Sequence, residues 1–96
     1  MYAVIFTATM KHIDQDYSDT AAKMRDLAFE KYGCKGFTSV TEGDQEVAIS
    51  YWESQEQIQA WKQDPSHQAA QAMGRERWYS SYQVEVVEVL REYAQP

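Results

Sequence analysis

The sequence predicts an α+β fold of the ferredoxin-like type, β-α-β-β-α-β, with an antiparallel sheet and its helices on one face. Three observations carry this. Four short runs rich in β-branched and aromatic residues, YAVIFTAT (2–9), GFTSVTE (36–42), QEVAISYW (45–52) and SSYQVEVVEVLREY (80–93), have the composition of strands. Two stretches between them space apolar residues at helical intervals. The second stretch is interrupted by Asp64-Pro65, which splits its helix in two.

The first strand, Tyr2 to Thr9, is too brief for a helix. In HIDQDYSD, residues Asp14, Asp16 and Ser18 are each suited to cap a helix, and their acidity opposes the positive end of the helix dipole. Tyr17, Ala21, Met24 and Ala28 then mark an apolar stripe, and Gly33 is the expected stop. Gly43-Asp44 between strands two and three suits a tight turn, so these strands form a hairpin. Ser54 with Gln57 three residues later reads as a capping box opening a helix whose inward residues are Ile58 and Trp61. Asp64-Pro65 caps and starts a second short helix, predicted to reach about Arg77. The last strand is expected over Ser80 to Tyr93.

Strands one, three and four carry apolar residues on both parities: Val4 and Phe6 against Ile5, Val47 and Ile49 against Ala48 and Trp52. The helices cover only one face, so the other needs a cover, and a second copy of the same sheet supplies one. A homodimer closed through the sheet face is therefore expected.

Composition narrows the function classes. A chain of 96 residues with 44% hydrophobic and 14% aromatic content is expected to fold as a single domain over 1–96. A formal charge of -6 opposes binding to nucleic acid or to an anionic membrane, because both need clustered Lys and Arg. Cys34 stands alone, so no intrachain disulfide forms, and with no apolar run of bilayer length the expected location is cytoplasmic. His12 and His67 lie far apart without cysteine neighbours or a His-Glu-x-x-His pattern, so no metal site is expected. Dinucleotide, phosphate-loop and hydrolase-elbow motifs are absent as well.

The strand order together with ISYWESQEQIQAW, PSHQAAQAMGRERWY and the valine-rich end resembles the antibiotic biosynthesis monooxygenase family of the dimeric α/β-barrel superfamily. The resemblance spans the chain, with its specific part in Tyr51 to Tyr79. It implies a homodimeric β-barrel, a cleft between sheet and helices in each subunit, and an oxygenase with no cofactor that acts on a small aromatic phenol or quinol with O2. It also implies comparison with a haem-degrading branch. That branch has an Asn on the first strand, a Trp ending the first short helix and a His ten residues later. Trp61 fits the Trp, but Gln71 stands where the His is expected and YAVIFTAT has no Asn.

His67 is the candidate catalytic residue: a neutral imidazole takes a proton from a phenol at neutral pH, leaving an anion electron-rich enough to reduce oxygen. The alternative is a structural histidine at the rim, or one donating to Asp64. Gln71 and Arg75 continue its four-residue spacing, so one helical face offers a base, an amide and a cation, or else a solvated stripe. Phe6, Trp52, Trp61 and Trp78 are candidate substrate-binding walls, with core packing as the competing reading. Beside the oxygenase stand two other functions: a non-catalytic dimer that binds a small apolar ligand or a protein, and a haem binder with His67 as ligand.

Overall fold

A computed structural model describes residues 1–96. The elements are β1 (Tyr2–Met10), α1 (Gln15–Tyr32), β2 (Gly36–Glu42), β3 (Gln45–Trp52), α2 (Gln55–Gln63), α3 (Pro65–Met73), a π-helical turn over Gly74–Trp78, and β4 (Tyr79–Glu88). All pairings in the single sheet are antiparallel, in the order β2-β3-β1-β4. The expected ferredoxin-like fold is what forms. No helix is long and apolar enough to cross a membrane.

The helix boundaries follow local chemistry. Of the three possible first caps, Asp14 serves, its side chain accepting the Tyr17 N–H at 2.8 Å. Gly33 ends α1 at φ 77°, a left-handed conformation in which a Cβ would be strained. Ser54 and Gln57 form both halves of the capping box that opens α2. Asp64 caps α3 by accepting the Ser66 N–H at 2.8 Å, with Pro65 at the first helical position.

Two boundaries differ from the sequence reading. The α-helical part of α3 stops at Met73, and the chain continues through a π turn closed by the Tyr79 N–H on the Gly74 carbonyl. Gly74 is required there because a Cβ would collide with the Tyr79 ring. The last strand ends at Glu88 rather than near Tyr93. Glu88 pairs with Tyr2, the first residue of β1, so beyond one further bond from Val89 N–H to the Met1 carbonyl there is no strand left to pair with. Leu90 and Tyr93 are accordingly 83% and 86% exposed.

Alternation along β1 sorts the faces. Val4, Ala8 and Met10 are buried beneath the helices. The core there is split. One cluster joins Val4, Met24, Ala28, Cys34, Trp52, Ile58 and Trp61; the other joins Ala8, Met10 and Trp78, with Phe6, Tyr17 and Tyr79 against it. The opposite face presents Ile5, flanked in register by Ile49, with Val47 and Tyr51 further along β3 and Val40 on β2, the last 61% exposed. No element of the chain covers it.

Trp52 is fully buried with its ring 5.1 Å from that of Trp61, and its indole N–H donates to Ser50 Oγ at 2.9 Å. Trp52→Ala is expected to cost about 3–5 kcal/mol. Urea unfolding followed by circular dichroism checks this; a loss below about 1 kcal/mol would mean that the larger cluster is not a packed core.

Candidate functional site

The space between the two core clusters is a cavity of about 350 Å³. Phe6, Ala48 and Glu46 form its sheet floor, Tyr17 and Met24 of α1 one wall, and Trp61, His67 and Gln71 of α2 and α3 another. Trp78 and Tyr79 close one end. Tyr82, Val84 and Val86 also line it yet are exposed, because β4 is the edge strand and no helix lies over it; the cavity is open on that side. The charged side chains of Arg25 and Lys62 stand at its rim, both exposed.

His67 is half-buried in the first turn of α3, its ring edge-on to Trp61 at 4.5 Å between centroids. Burial, and secondarily the charge of Lys62, lower its pKa from 6.5, against a smaller opposing pull from Asp64. The imidazole is therefore neutral at neutral pH. Its Nδ1 is buried with no hydrogen-bond partner, as is the Trp61 Nε1. Buried polar atoms without partners are rare and mark either a functional group or a place for water. The His67 imidazole does not bond Asp64, whose carboxylate is taken up by the Tyr32 hydroxyl at 2.6 Å and by backbone N–H groups at the α3 N-terminus.

Of the residues singled out in the sequence, Phe6, Trp61, His67, Gln71 and Trp78 line the cavity. Trp52 and Arg75 do not. Trp52 lies behind Trp61 in the core and supports that ring instead of facing the space. Arg75 is exposed in the π turn. The four-residue spacing keeps Gln71 near the face of His67, but Arg75 lies past Met73, where the chain has left the α-helix for the π turn and the α spacing no longer applies.

The sequence reading missed Glu46, which is 6% exposed on the cavity floor. A signal was present: in QEVAISYW it shares the parity of Ala48, Ser50 and Trp52, the inward side of β3. The Thr41 hydroxyl donates to it. Its charge adds to burial in raising the phenol of Tyr17 and in pushing that of Tyr79 up to about 12, so both hydroxyls stay protonated. The Trp78 indole N–H approaches Asp14 without reaching hydrogen-bond geometry.

The family described as antibiotic biosynthesis monooxygenase matches residues 1–73. The uncharacterized protein YqjZ of Bacillus subtilis (strain 168) is 41% identical over 92 residues, covering 95% of this chain and 81% of that protein. Among solved structures, SnoaB, a cofactor-independent oxygenase from Streptomyces nogalater, superposes with a TM-score of 0.81 at 11% identity, over 98% of this chain and 97% of that one. Rv0793 from Mycobacterium tuberculosis gives 0.78 at 17% identity, over 97% and 98%. At such identities these two speak to the fold alone.

An NMR pH titration of His67 is expected to give a midpoint below 6.5. The sign for stability follows: below the unfolded-state value of about 6.5 the unfolded chain binds a proton that the folded site resists, so stability falls as pH drops through that value. A midpoint at or above 6.5 would mean that the imidazole is solvated and outside the cavity.

Proposed function

The chain belongs to the antibiotic biosynthesis monooxygenase family, and from that premise we propose that it is a cofactor-independent monooxygenase acting with O2 on a small phenol or quinol held in the cavity. The observation that carries the reading is His67: an uncharged imidazole in an aromatic-walled space, with an unpartnered nitrogen and the Gln71 amide on the same side.

A cavity of about 350 Å³ walled by Phe6, Trp61 and Trp78 suits a flat aromatic ring. In this reading His67 accepts the phenolic proton, and Gln71 donates a hydrogen bond to the resulting oxyanion. The anion is the reductant: one electron passes to O2, and recombination of the two radicals forms the carbon–oxygen bond. With no external reductant the substrate supplies all four electrons, as when a ring CH2 becomes C=O. One oxygen atom enters the product, and the other leaves as water with the two displaced hydrogens. The depressed pKa of His67 supports the first step by keeping the imidazole free to accept.

The same proposal includes a homodimer closed sheet to sheet, which the uncovered face of Ile5, Val47, Ile49 and Tyr51 supports.

Two measurements test this. Oxygen uptake by chelator-treated protein with a panel of quinols and electron-rich phenols is expected to exceed that of heat-denatured protein, and His67→Ala to lower it about tenfold or more. No uptake across the panel, or uptake unchanged by the substitution, would refute His67 as the proton acceptor. Light scattering is expected to give twice the chain mass, and Ile49→Lys to shift it toward one chain. A native protein of single-chain mass would end the dimer proposal.

A further inference from the structure

Deepening the reading of the cavity as a phenol site, we propose that its end around Glu46 selects ligands carrying a cation, so that the preferred substrate class is a phenol bearing a protonated amine. Glu46 is the buried carboxylate of the cavity, and its polar neighbours are hydroxyls: that of Thr41, which donates to it, and that of Tyr17 beside it. No Lys, Arg or His forms an ion pair with it, although five such pairs exist elsewhere in the molecule. Hydroxyl donors ease the desolvation of a carboxylate but do not neutralise it, and a buried charge without a counter-charge is costly. The two cations that line the cavity, Arg25 and Lys62, are exposed, and neither forms an ion pair with Glu46.

The rings around this end complete the argument. Phe6 lies 5.3 Å from Tyr79 and 6.1 Å from Tyr82, Tyr79 lies 5.6 Å from Tyr82, and Tyr17 meets Trp78 edge-on at 5.2 Å. All five rings line the cavity. Ring faces carry negative charge density and attract a desolvated cation, and tyrosine and tryptophan do so most strongly. Tyr17 and Tyr79 remain protonated, so each also keeps a neutral hydroxyl. Aromatic faces and an unpaired carboxylate together form a receptor for an ammonium group. The opposite end, with His67 and Gln71, is left for the phenol. A neutral hydroxyl at the Glu46 end would leave the carboxylate charge uncancelled, and a second carboxylate would be repelled. The net charge of -6 adds a general preference for cationic ligands at the open side along β4.

The test is isothermal titration calorimetry under nitrogen with three probes of similar carbon skeleton: tyramine, 4-propylphenol and 3-(4-hydroxyphenyl)propionate. Native protein is expected to bind tyramine about tenfold or more tighter than 4-propylphenol, and the acid most weakly. Glu46→Gln is expected to bring tyramine to within about threefold of 4-propylphenol. Equal affinities, a preference for the acid, no binding of any probe, or a tyramine preference that survives Glu46→Gln would each overturn the proposal. If the variant fails to fold, the native series still overturns the proposal whenever tyramine is not preferred. Because binding is read without oxygen, a tyramine preference with no oxygen uptake would sink the monooxygenase reading alone.

Discussion

The Asp64 carboxylate, 6% exposed, ties together the three helices that form the roof of the cavity. It accepts the hydroxyl of Tyr32, the last residue of α1, at 2.6 Å, and the N–H of Ser66 at the start of α3, while its own backbone N–H closes the end of α2 on the Trp61 carbonyl. Lys31 approaches it at 3.7 Å. The Tyr32 hydroxyl above all, and the helix N–H groups after it, hold its pKa below 3.8, while burial works against them. That stabilisation is present above the unfolded-state value and is lost as pH falls through the lower folded one. His67 is three residues from this knot, so its ring position against Trp61 is set by a junction outside the cavity.

The arrangement also decides what the interior can be. A dry void of about 350 Å³ would cost on the order of 8 kcal/mol at about 24 cal/mol per Å³, comparable to the whole stability of an ordinary domain. Such a void would not persist unless water or a ligand occupied it. Glu46, Gln71 and His67 give water polar partners, and the uncovered edge at β4 gives it a way in. The two core clusters can then be small because each is closed by a buried tryptophan, Trp52 or Trp78, which contributes a large apolar area.

Much of the fold was legible because its signals are local. The capping box at Ser54, Pro65 at the head of α3, Gly33 after α1 and the hairpin strands 36–42 and 45–52 each follow from residues within a few positions of one another. The end of β4 was not legible, since it is fixed by where β1 runs out, at Tyr2, which lies at the other end of the chain from its partner Glu88. Trp52 and Arg75 show the same limit in the site. Apolar parity puts Trp52 on the inner face but does not say that Trp61 stands between it and the cavity, and four-residue spacing assumes an α-helix that has given way to the π turn before Arg75. Glu46 went unread for the opposite reason: its parity is plain in the strand, but a charged residue on an inward position has no meaning until the space in front of it is known.

The π turn at Gly74–Trp78 gives this architecture a counting rule. Its wider loop of five-residue hydrogen bonding stores one residue more than an α-helical turn needs, and Trp78 is fastened at its far end by its carbonyl, which accepts the Lys11 N–H at 2.9 Å. Remove one residue within the turn itself and it would relax to the α form with its two ends kept in place; remove one from Pro65–Met73 without that compensation and every residue after it turns by roughly 100°, taking the tryptophan out of its cluster. For anyone reshaping the pocket, the length of Pro65–Met73 is fixed by the tryptophan it delivers, and the slack is confined to the π turn.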